Sequence, residues 1–160
     1  MSIALFEKKL AWEPFSIPAR RRLAQTYQLA GQPEESQRVL DETLEIELAE
    51  LVVQPDVVML HLSLARTYSL LGMHDRAQHH VDRGLNLATA SVKEDPQSPH
   101  NQFEMSHAYA SAGRLDEALE HATRAFEAEP GSFEYRRLRF VLERDIERSR
   151  STNDSVSIRH

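Results

Sequence analysis

Two residue types recur along this chain at one fixed interval. Three of the four tyrosines stand 41 residues apart, and a glycine follows each of them by four residues: Tyr27 and Gly31, Tyr68 and Gly72, Tyr109 and Gly113. With only five glycines in the chain, this shared phase indicates an internal repeat. A repeat chain stacks similar units, and the stack presents an extended surface that is typically used for binding. The recurrence therefore constrains the fold class and the kind of function together.

Each repeat is predicted to be two helices joined by a tight turn. Apolar residues keep helical spacing on both sides of the first turn, before it at Leu23, Tyr27 and Ala30 and after it at Leu40, Leu44, Leu48 and Leu51. Glycine just past a helix end adopts the left-handed conformation at low cost, and Pro33 suits the first turn of the following helix. Because almost no segment has a pattern typical of β-strands, we expect an all-α chain.

A further set of residues repeats around this framework. The third segment has Ala108-Tyr109, Gly113, the run from Leu115 to Glu120 and the run from Ala125 to Pro130; the second keeps the run from Leu64 to Tyr68, then Gly72 and Ala77. In the first segment Ser36 stands where the other two have alanine. Together these residues resemble the tetratricopeptide repeat, an antiparallel helix pair with a common period of about 34 residues. The early tryptophan of that family is replaced here by Arg20, His61 and Gln102.

The resemblance implies a right-handed α-solenoid of three tetratricopeptide-like helix pairs over residues 17–130, with repeats at about 17–54, 55–97 and 98–130. A leading helix or cap is expected in residues 1–16 and a capping helix in residues 131–149, while residues 150–160 have little to bury and are predicted to be disordered. The 41-residue period exceeds the common one by about seven residues, or two helical turns. We therefore expect lengthened helices around residues 45–53 and 86–92.

Composition excludes several function classes. The chain of 160 residues has no cysteine, which excludes disulfides and thiolate catalysis and fits a reducing compartment. No secretory signal opens the chain and no apolar stretch approaches the length of a membrane span, so we expect a cytoplasmic protein with no membrane partner. The formal net charge of −6 argues against a nucleic-acid partner.

The charged residues are unevenly distributed. Eight acidic residues lie between Glu34 and Asp56 against Arg38 alone, whereas six arginines lie between Arg136 and Arg150. Such runs are typical of solvated helix faces, and an acidic outer face that meets a basic partner is the second interpretation. Both interpretations remain open at the level of the sequence.

No residue pattern predicts catalysis, a cofactor or a metal site. Phosphate loops, dinucleotide fingerprints and zinc-protease signatures do not occur in the sequence. Among the eight histidines, His79 and His80 are adjacent and point to different sides of a helix, and His100 and His107 share a face without a nearby carboxylate or thiolate. The chain is therefore predicted not to be an enzyme.

The resemblance also implies where a partner would bind. In the family, the first helices of the repeats line a concave groove that contacts an extended peptide or a helix. The repeat register places six residues on that face: Arg21, Gln25, Leu62, Arg66, Phe103 and His107. The arginines suit carboxylate capture through paired hydrogen bonds, and Leu62 and Phe103 would supply an apolar patch. The implied function is a non-catalytic adaptor or scaffold that binds a peptide or helix of a partner protein bearing acidic residues.

A second function class also fits the sequence. A small, acidic, three-repeat chain resembles a structural module that associates with itself, or a small secretion-type chaperone within a larger assembly. Loss of partner capture on substitution in the groove would favour the adaptor. A molecular mass that rises with concentration would favour self-association, so a homo-oligomer is compatible with the sequence.

Overall fold

The chain is built of helices. A computed structural model describes residues 2–157, and within them it contains eight α-helices and no β-strand. The helices are α1 (Ile3–Trp12), α2 (Ile17–Leu29), α3 (Pro33–Val53), α4 (Val58–Leu70), α5 (His74–Glu94), α6 (Pro99–Ser111), α7 (Leu115–Ala128) and α8 (Phe133–Ser157). The predicted all-α class is confirmed, because three helix pairs, α2 with α3, α4 with α5 and α6 with α7, stand between a leading and a final helix. Within the same residues, no helix combines the length and the apolar character needed to cross a membrane.

The chain divides into two compact units. Unit 1 comprises Met1–His80 and unit 2 comprises Val81–His160. The four predicted binding residues on α2 and α4 therefore belong to unit 1, whereas the two on α6 belong to unit 2.

The lengths of the helices account for the long repeat period. The first helices of the three pairs have 13 residues each. The second helices α3 and α5 have 21 residues each, whereas α7 has 14. Two of the second helices are thus seven residues longer than the third, which equals the excess of the period over about 34 residues. The extra residues lengthen helices, as predicted.

The tyrosine and glycine pattern forms the turn inside each helix pair. The three glycines, Gly31, Gly72 and Gly113, have positive φ angles of 73°, 73° and 76°, a conformation that glycine adopts without a Cβ clash. One residue later, a backbone N–H donates to the tyrosine carbonyl oxygen at 2.9 Å in every turn: Gln32 to Tyr27, Met73 to Tyr68 and Arg114 to Tyr109. This hydrogen bond closes the end of the first helix and fixes the spacing between the tyrosine and glycine positions.

Unit 1 packs around two apolar clusters. The first contains Phe6, Leu23, Ala24, Tyr27, Val39 and Leu40, and the second contains Leu60, Leu64, Tyr68 and Ala77. The buried stripe of α3 differs from the predicted one, because it runs through Leu40, Thr43 and Glu47 and leaves Leu48 exposed. Two successive steps of four residues turn a side chain by about 80° around the helix, which carries Leu48 off the buried face.

Unit 2 packs the small residues of α7 against α6 and α8. Ala118 and Ala122 are fully buried and form a cluster with Leu142. The Ser106 hydroxyl on α6 donates to the Ala118 carbonyl oxygen at 2.7 Å. Alanine at these positions lets the helix backbones approach closely, so the small residues that recur in the sequence mark a helix crossing.

The final helix is longer than predicted. α8 continues to Ser157, so the segment predicted as a disordered tail, 150–160, is helical up to that residue; residues 158–160 lie outside the described residues. No glycine or proline follows Gly131 to stop the helix. The Ser149 and Ser151 hydroxyls each donate to a carbonyl oxygen four residues earlier, at 3.1 and 2.9 Å.

Candidate functional site

The Arg21 guanidinium is anchored inside unit 1. Its Nη1 donates to the Ser63 carbonyl oxygen at 2.8 Å and its Nη2 donates to the Ser63 hydroxyl at 3.1 Å, which ties α2 to α4. The Glu47 carboxylate lies 3.9 Å from Nη1. Burial lowers the pKa of Arg21, Glu47 raises it and the nearby Arg66 lowers it. Arg21 remains a cation at neutral pH, because its ordinary pKa is far above 7.

Glu47 is the centre of this network, and the sequence analysis missed it. Its side chain on α3 is fully buried. One carboxylate oxygen accepts a hydrogen bond from the Thr67 hydroxyl at 2.5 Å, and the other accepts one from the Ser63 hydroxyl. The sequence had grouped Glu47 with the acidic residues of a solvated face, which is wrong for this residue. The indication of its burial was its helical position, because Glu47 stands four residues after Thr43 on the buried side of α3.

Arg66 is the exposed partner of Arg21. Its side chain on α4 reaches solvent, and it lies close enough to Arg21 to lower the pKa of that group. Within the part of the chain that the structure describes, no hydrogen bond or ion pair involves Arg66. Two guanidinium groups with one buried carboxylate leave a net positive charge at this place in unit 1.

The other two predicted residues of unit 1 have different surroundings. Leu62 is only 7% exposed, so little of its surface is available to a partner. Gln25 is half-buried and lines a cleft of about 430 Å³ at the α1 and α2 helices, together with Ile3, Phe6, Arg22, Thr26, Leu29 and Ala30. The repeat register assigned these residues to a helix face, but it did not say which side chains the fold itself covers.

The two predicted residues of unit 2 lie in one aromatic cluster. Phe103 and His107 on α6 meet edge to face, with ring centroids 4.6 Å apart. Phe103 also contacts Tyr135 of α8, with centroids 5.2 Å apart. Burial lowers the pKa of His107, and the smaller effect of Glu134 raises it. His107 is thus neutral at neutral pH and acts as an aromatic side chain.

A carboxylate does lie beside the histidines of α6, contrary to the sequence analysis. Glu104 stands between His100 and His107, and its Oε1 is 3.7 Å from His100 Nε2. Burial raises the pKa of Glu104, whereas His100 lowers it. The described residues nevertheless contain no group of three or more histidine and carboxylate side chains arranged to hold a metal ion.

Two histidines that are distant in sequence pair inside unit 1. His61 and His80 are both buried, and their Nδ1 atoms lie 2.9 Å apart. His61 Nε2 lies 2.9 Å from the Pro55 carbonyl oxygen, which only accepts, so His61 donates from Nε2 and accepts at Nδ1 from His80. The His80 ring stacks on Tyr68, with centroids 5.4 Å apart. Burial, and then the neighbouring His61 and His79, lower the pKa of His80 to about 4.

A family model classifies this series of helix pairs. The model of the tetratricopeptide repeat matches residues 17–42, 58–83 and 102–124, one match for each helix pair. The chain belongs to the tetratricopeptide-repeat family. Tetratricopeptide repeats are in general non-catalytic scaffolds for protein–protein interaction, so the chain is a protein-interaction module in this broad sense.

Several solved structures with tetratricopeptide repeats are similar to this chain. TTC0263, a thermophilic TPR protein in Thermus thermophilus, is 24% identical, covers 88% of this chain and 70% of its own, and has a TM-score of 0.46. The first TPR of Spaghetti (RPAP3), bound to HSP90 peptide SRMEEVD, is 15% identical, with coverage of 82% and 93% and a TM-score of 0.41. MamA is 16% identical, with coverage of 91% and 77% and a TM-score of 0.33. No curated protein matches the chain.

The tetratricopeptide repeats share a contact at the position that the family fills with tryptophan. Arg20, His61 and Gln102 each donate to the carbonyl oxygen of a proline six residues earlier, at 2.9, 2.9 and 2.7 Å: Pro14, Pro55 and Pro96. Arg136 on α8 makes the same contact with Pro130 at 3.1 Å. The sequence did carry a signal for this contact. Pro14, Pro55 and Pro96 recur every 41 residues, and Pro130 follows Pro96 after 34 residues.

The buried histidine of α5 has a counterpart in the next tetratricopeptide repeat. His121 Nδ1 lies 2.6 Å from the Gln102 amide oxygen, and its ring stacks on Tyr109 with centroids 5.3 Å apart. Because an amide oxygen only accepts, His121 donates from Nδ1, as His80 does. Burial lowers the pKa of His121. Each of the two units therefore contains a neutral histidine that joins both helices of a repeat.

Proposed function

We propose that this chain is a cytoplasmic adaptor that binds an acidic peptide or helix of a partner protein on the first helices of its repeats, with Arg21 and Arg66 at the centre of the site. The observation that carries the proposal is the pair of guanidinium groups beside a single buried carboxylate, Glu47. The surplus positive charge favours an anion, and a carboxylate is the anion that a protein partner supplies.

The two arginines have different tasks in this site. Arg21 is held by Ser63 and Glu47, so it loses little side-chain freedom when a ligand arrives. Arg66 is exposed and has no ion-pair partner within the described residues, so a carboxylate of the ligand can accept two parallel hydrogen bonds from it. Arginine suits this geometry better than lysine because its donors form a planar fork.

A second contact area is proposed in unit 2. Phe103, His107 and Tyr135 form an aromatic cluster that would receive an apolar side chain of a protein partner at this unit. Because the pKa of His107 is lowered, this cluster carries no charge at neutral pH. In unit 1, Gln25 and Leu62 belong to the same proposed face as the two arginines, with Leu62 largely buried.

The test uses defined peptides. Peptides are selected on the wild-type chain from a random-sequence display library, and the dissociation constant of a selected acidic peptide is measured by fluorescence polarisation. Arg66→Glu should weaken binding at least about tenfold, because it replaces an attractive charge by a repulsive one. Arg66→Lys should weaken it less, since it keeps the charge and loses the fork.

Lys8→Glu is the matched control, because it makes the same charge change at an exposed position of α1 in the same unit. Glu42 on the outer helix is less suitable, since it is bonded to both Arg20 and Arg38. The selected peptide with its acidic residues changed to amides should bind as weakly to the wild type as the parent peptide does to Arg66→Glu. Equal losses in Lys8→Glu and Arg66→Glu would show that only net charge matters and would end the proposal.

A further inference from the structure

One face of α8 is exposed although it carries aromatic side chains. Phe133 and Phe140 are 71% and 61% exposed, and Arg137 and Arg144 lie on the same side of the helix, at spacings of four, three and four residues. The opposite side of α8 is buried through Tyr135, Leu142 and Ile146. We call the exposed side, formed by Phe133, Arg137, Phe140 and Arg144, the basic face. Aromatic and arginine side chains are enriched at the centres of protein interfaces.

A face of opposite charge lies on α3 in unit 1. Glu34, Gln37, Asp41 and Glu45 are exposed along one side of this helix, and we call them the acidic face. The cations beside this face are already paired: Arg38 is bonded to Glu35 at 2.6 Å and to Glu42 at 3.3 Å, and Arg20 is bonded to Glu42 at 3.0 Å. Within the described residues, no ion pair involves Glu34 or Glu45.

The charges on the two faces have the same spacing. Glu34 and Asp41 are seven residues apart, as are Arg137 and Arg144, so each pair is separated by roughly 10 Å along its helix axis. Both ion pairs can therefore form at once when the two helices lie side by side. Between the charges, Phe140 would lie over Gln37, since both stand three residues after the first charged position.

We propose that the basic face of one molecule docks on the acidic face of a second copy of this chain. The two surfaces differ, so the contact is heterologous. In a pair joined by one contact, one molecule keeps a free acidic face and the other keeps a free basic face, so further copies can add head to tail. Each face lies within a single unit, and neither includes Arg21 or Arg66. The inference is therefore independent of the proposed peptide site.

The first experiment measures the mass of the purified wild-type chain by sedimentation velocity. Between about 1 µM and about 300 µM, the weight-average mass should rise beyond that of a dimer, the behaviour of a small polar interface that does not close. Raising NaCl from about 0.05 M to about 0.5 M, which shortens the Debye length about threefold, should reverse the association. A monomer at every concentration in low salt would overturn the proposal.

Charge reversals then identify the two faces. Arg137→Glu with Arg144→Glu removes the basic face, and Glu34→Arg with Asp41→Arg removes the acidic face. Each double variant alone should stay monomeric, with an association constant at least about tenfold lower than that of the wild type. Lys8→Glu with Lys9→Glu makes the same charge change as the first variant on α1 and should associate like the wild type. Circular dichroism establishes that every variant is folded.

Mixing the two double variants gives the decisive result. Both variants then carry reversed charges on one face, and their intact faces, acidic on one and basic on the other, remain complementary. An equimolar mixture should associate again beyond a dimer, because the intact faces attract each other and the two reversed faces also carry opposite charges at the same spacing. A mixture that stays monomeric would exclude docking between copies and leave the basic face to an acidic partner of another kind.

Discussion

Glu47 is the residue on which the polar interior of unit 1 depends. Its carboxylate accepts hydrogen bonds from Ser63 and Thr67 and faces the Arg21 guanidinium, with no exposure to solvent. Removing one member of such a buried network leaves the others unsatisfied. Glu47→Ala should therefore lower the free energy of unfolding by about 3 kcal/mol, measured by urea denaturation.

Exposed Glu45 on the same helix supplies the control, since Glu45→Ala should change the free energy of unfolding by less than about 0.5 kcal/mol. The combined change of Glu47 and Arg21 to leucine should cost less than Glu47→Ala alone, because it removes both buried charges together. Equal stability of the Glu47→Ala and Glu45→Ala proteins would mean that the network contributes nothing.

His80 should make unit 1 less stable in acid. Its pKa is about 4 in the folded chain and about 6.5 in an unfolded one, so the unfolded state takes up a proton first as the pH falls. The stability is complete above about pH 6.5 and is lost progressively towards pH 4, by at most about 3 kcal/mol in total. His80→Gln keeps an N–H donor for His61 and removes this titration.

Urea denaturation at pH 7.5 and pH 5 measures the effect. The wild type should lose more stability than His80→Gln between these two values, and other titrating groups cancel in the comparison. A pH dependence that is the same in both proteins would show that His80 titrates normally in the folded state.

Residue by residue, the sequence predicted less about the site than about the helices. Register assigned Arg21 on α2 and Arg66 on α4 to one face formed by the first helices of the repeats, and Arg66 is close enough to Arg21 to lower its pKa. It could not indicate that Ser63 and Glu47 hold Arg21, because such contacts depend on which α3 residues turn inward. Leu62 illustrates the same limit, since its position on a face does not reveal that neighbouring helices cover it.

At the scale of the element, the helix-ending glycines determine where each first helix stops. Gly113→Ala in unit 2 should cost about 1 kcal/mol, because alanine is strained at a φ of 76° although its Cβ would meet no atom. Gly131→Ala is the matched control: its Cβ would also meet nothing, and its φ is not positive. That substitution should change the free energy of unfolding by less than about 0.5 kcal/mol, and equal costs at both sites would contradict the backbone explanation.

Helix type and helix length were predictable for a common reason. The sequence contains three versions of each helix. Aligning them distinguishes the apolar positions that recur in every repeat from those that occur only once. The end of α8 has no second version for comparison, and its polar composition suggested a tail although no residue there stops a helix. The inward face of α3 was misassigned at Leu48 because leucines stand on two adjoining stripes of that helix.

The whole molecule should give the far-ultraviolet circular dichroism spectrum of an all-α protein. Eight helices occupy most of residues 2–157, and no strand is present in that range. We expect strong minima at the two wavelengths typical of helices and no component from β-structure. A substantial strand contribution in the purified chain would contradict the repeat assignment as well as the helix bounds.

The proline contacts show that several residue types can meet one geometric requirement at the start of each repeat. A guanidinium, an imidazole and an amide make the same hydrogen bond there in successive repeats, and an indole also carries one N–H donor. The constraint is then on a proton at one point in space and not on any residue type. Exchanges among arginine, histidine, glutamine and tryptophan at this site should therefore leave the backbone unchanged, so sequence identity at this position is a poor measure of structural similarity.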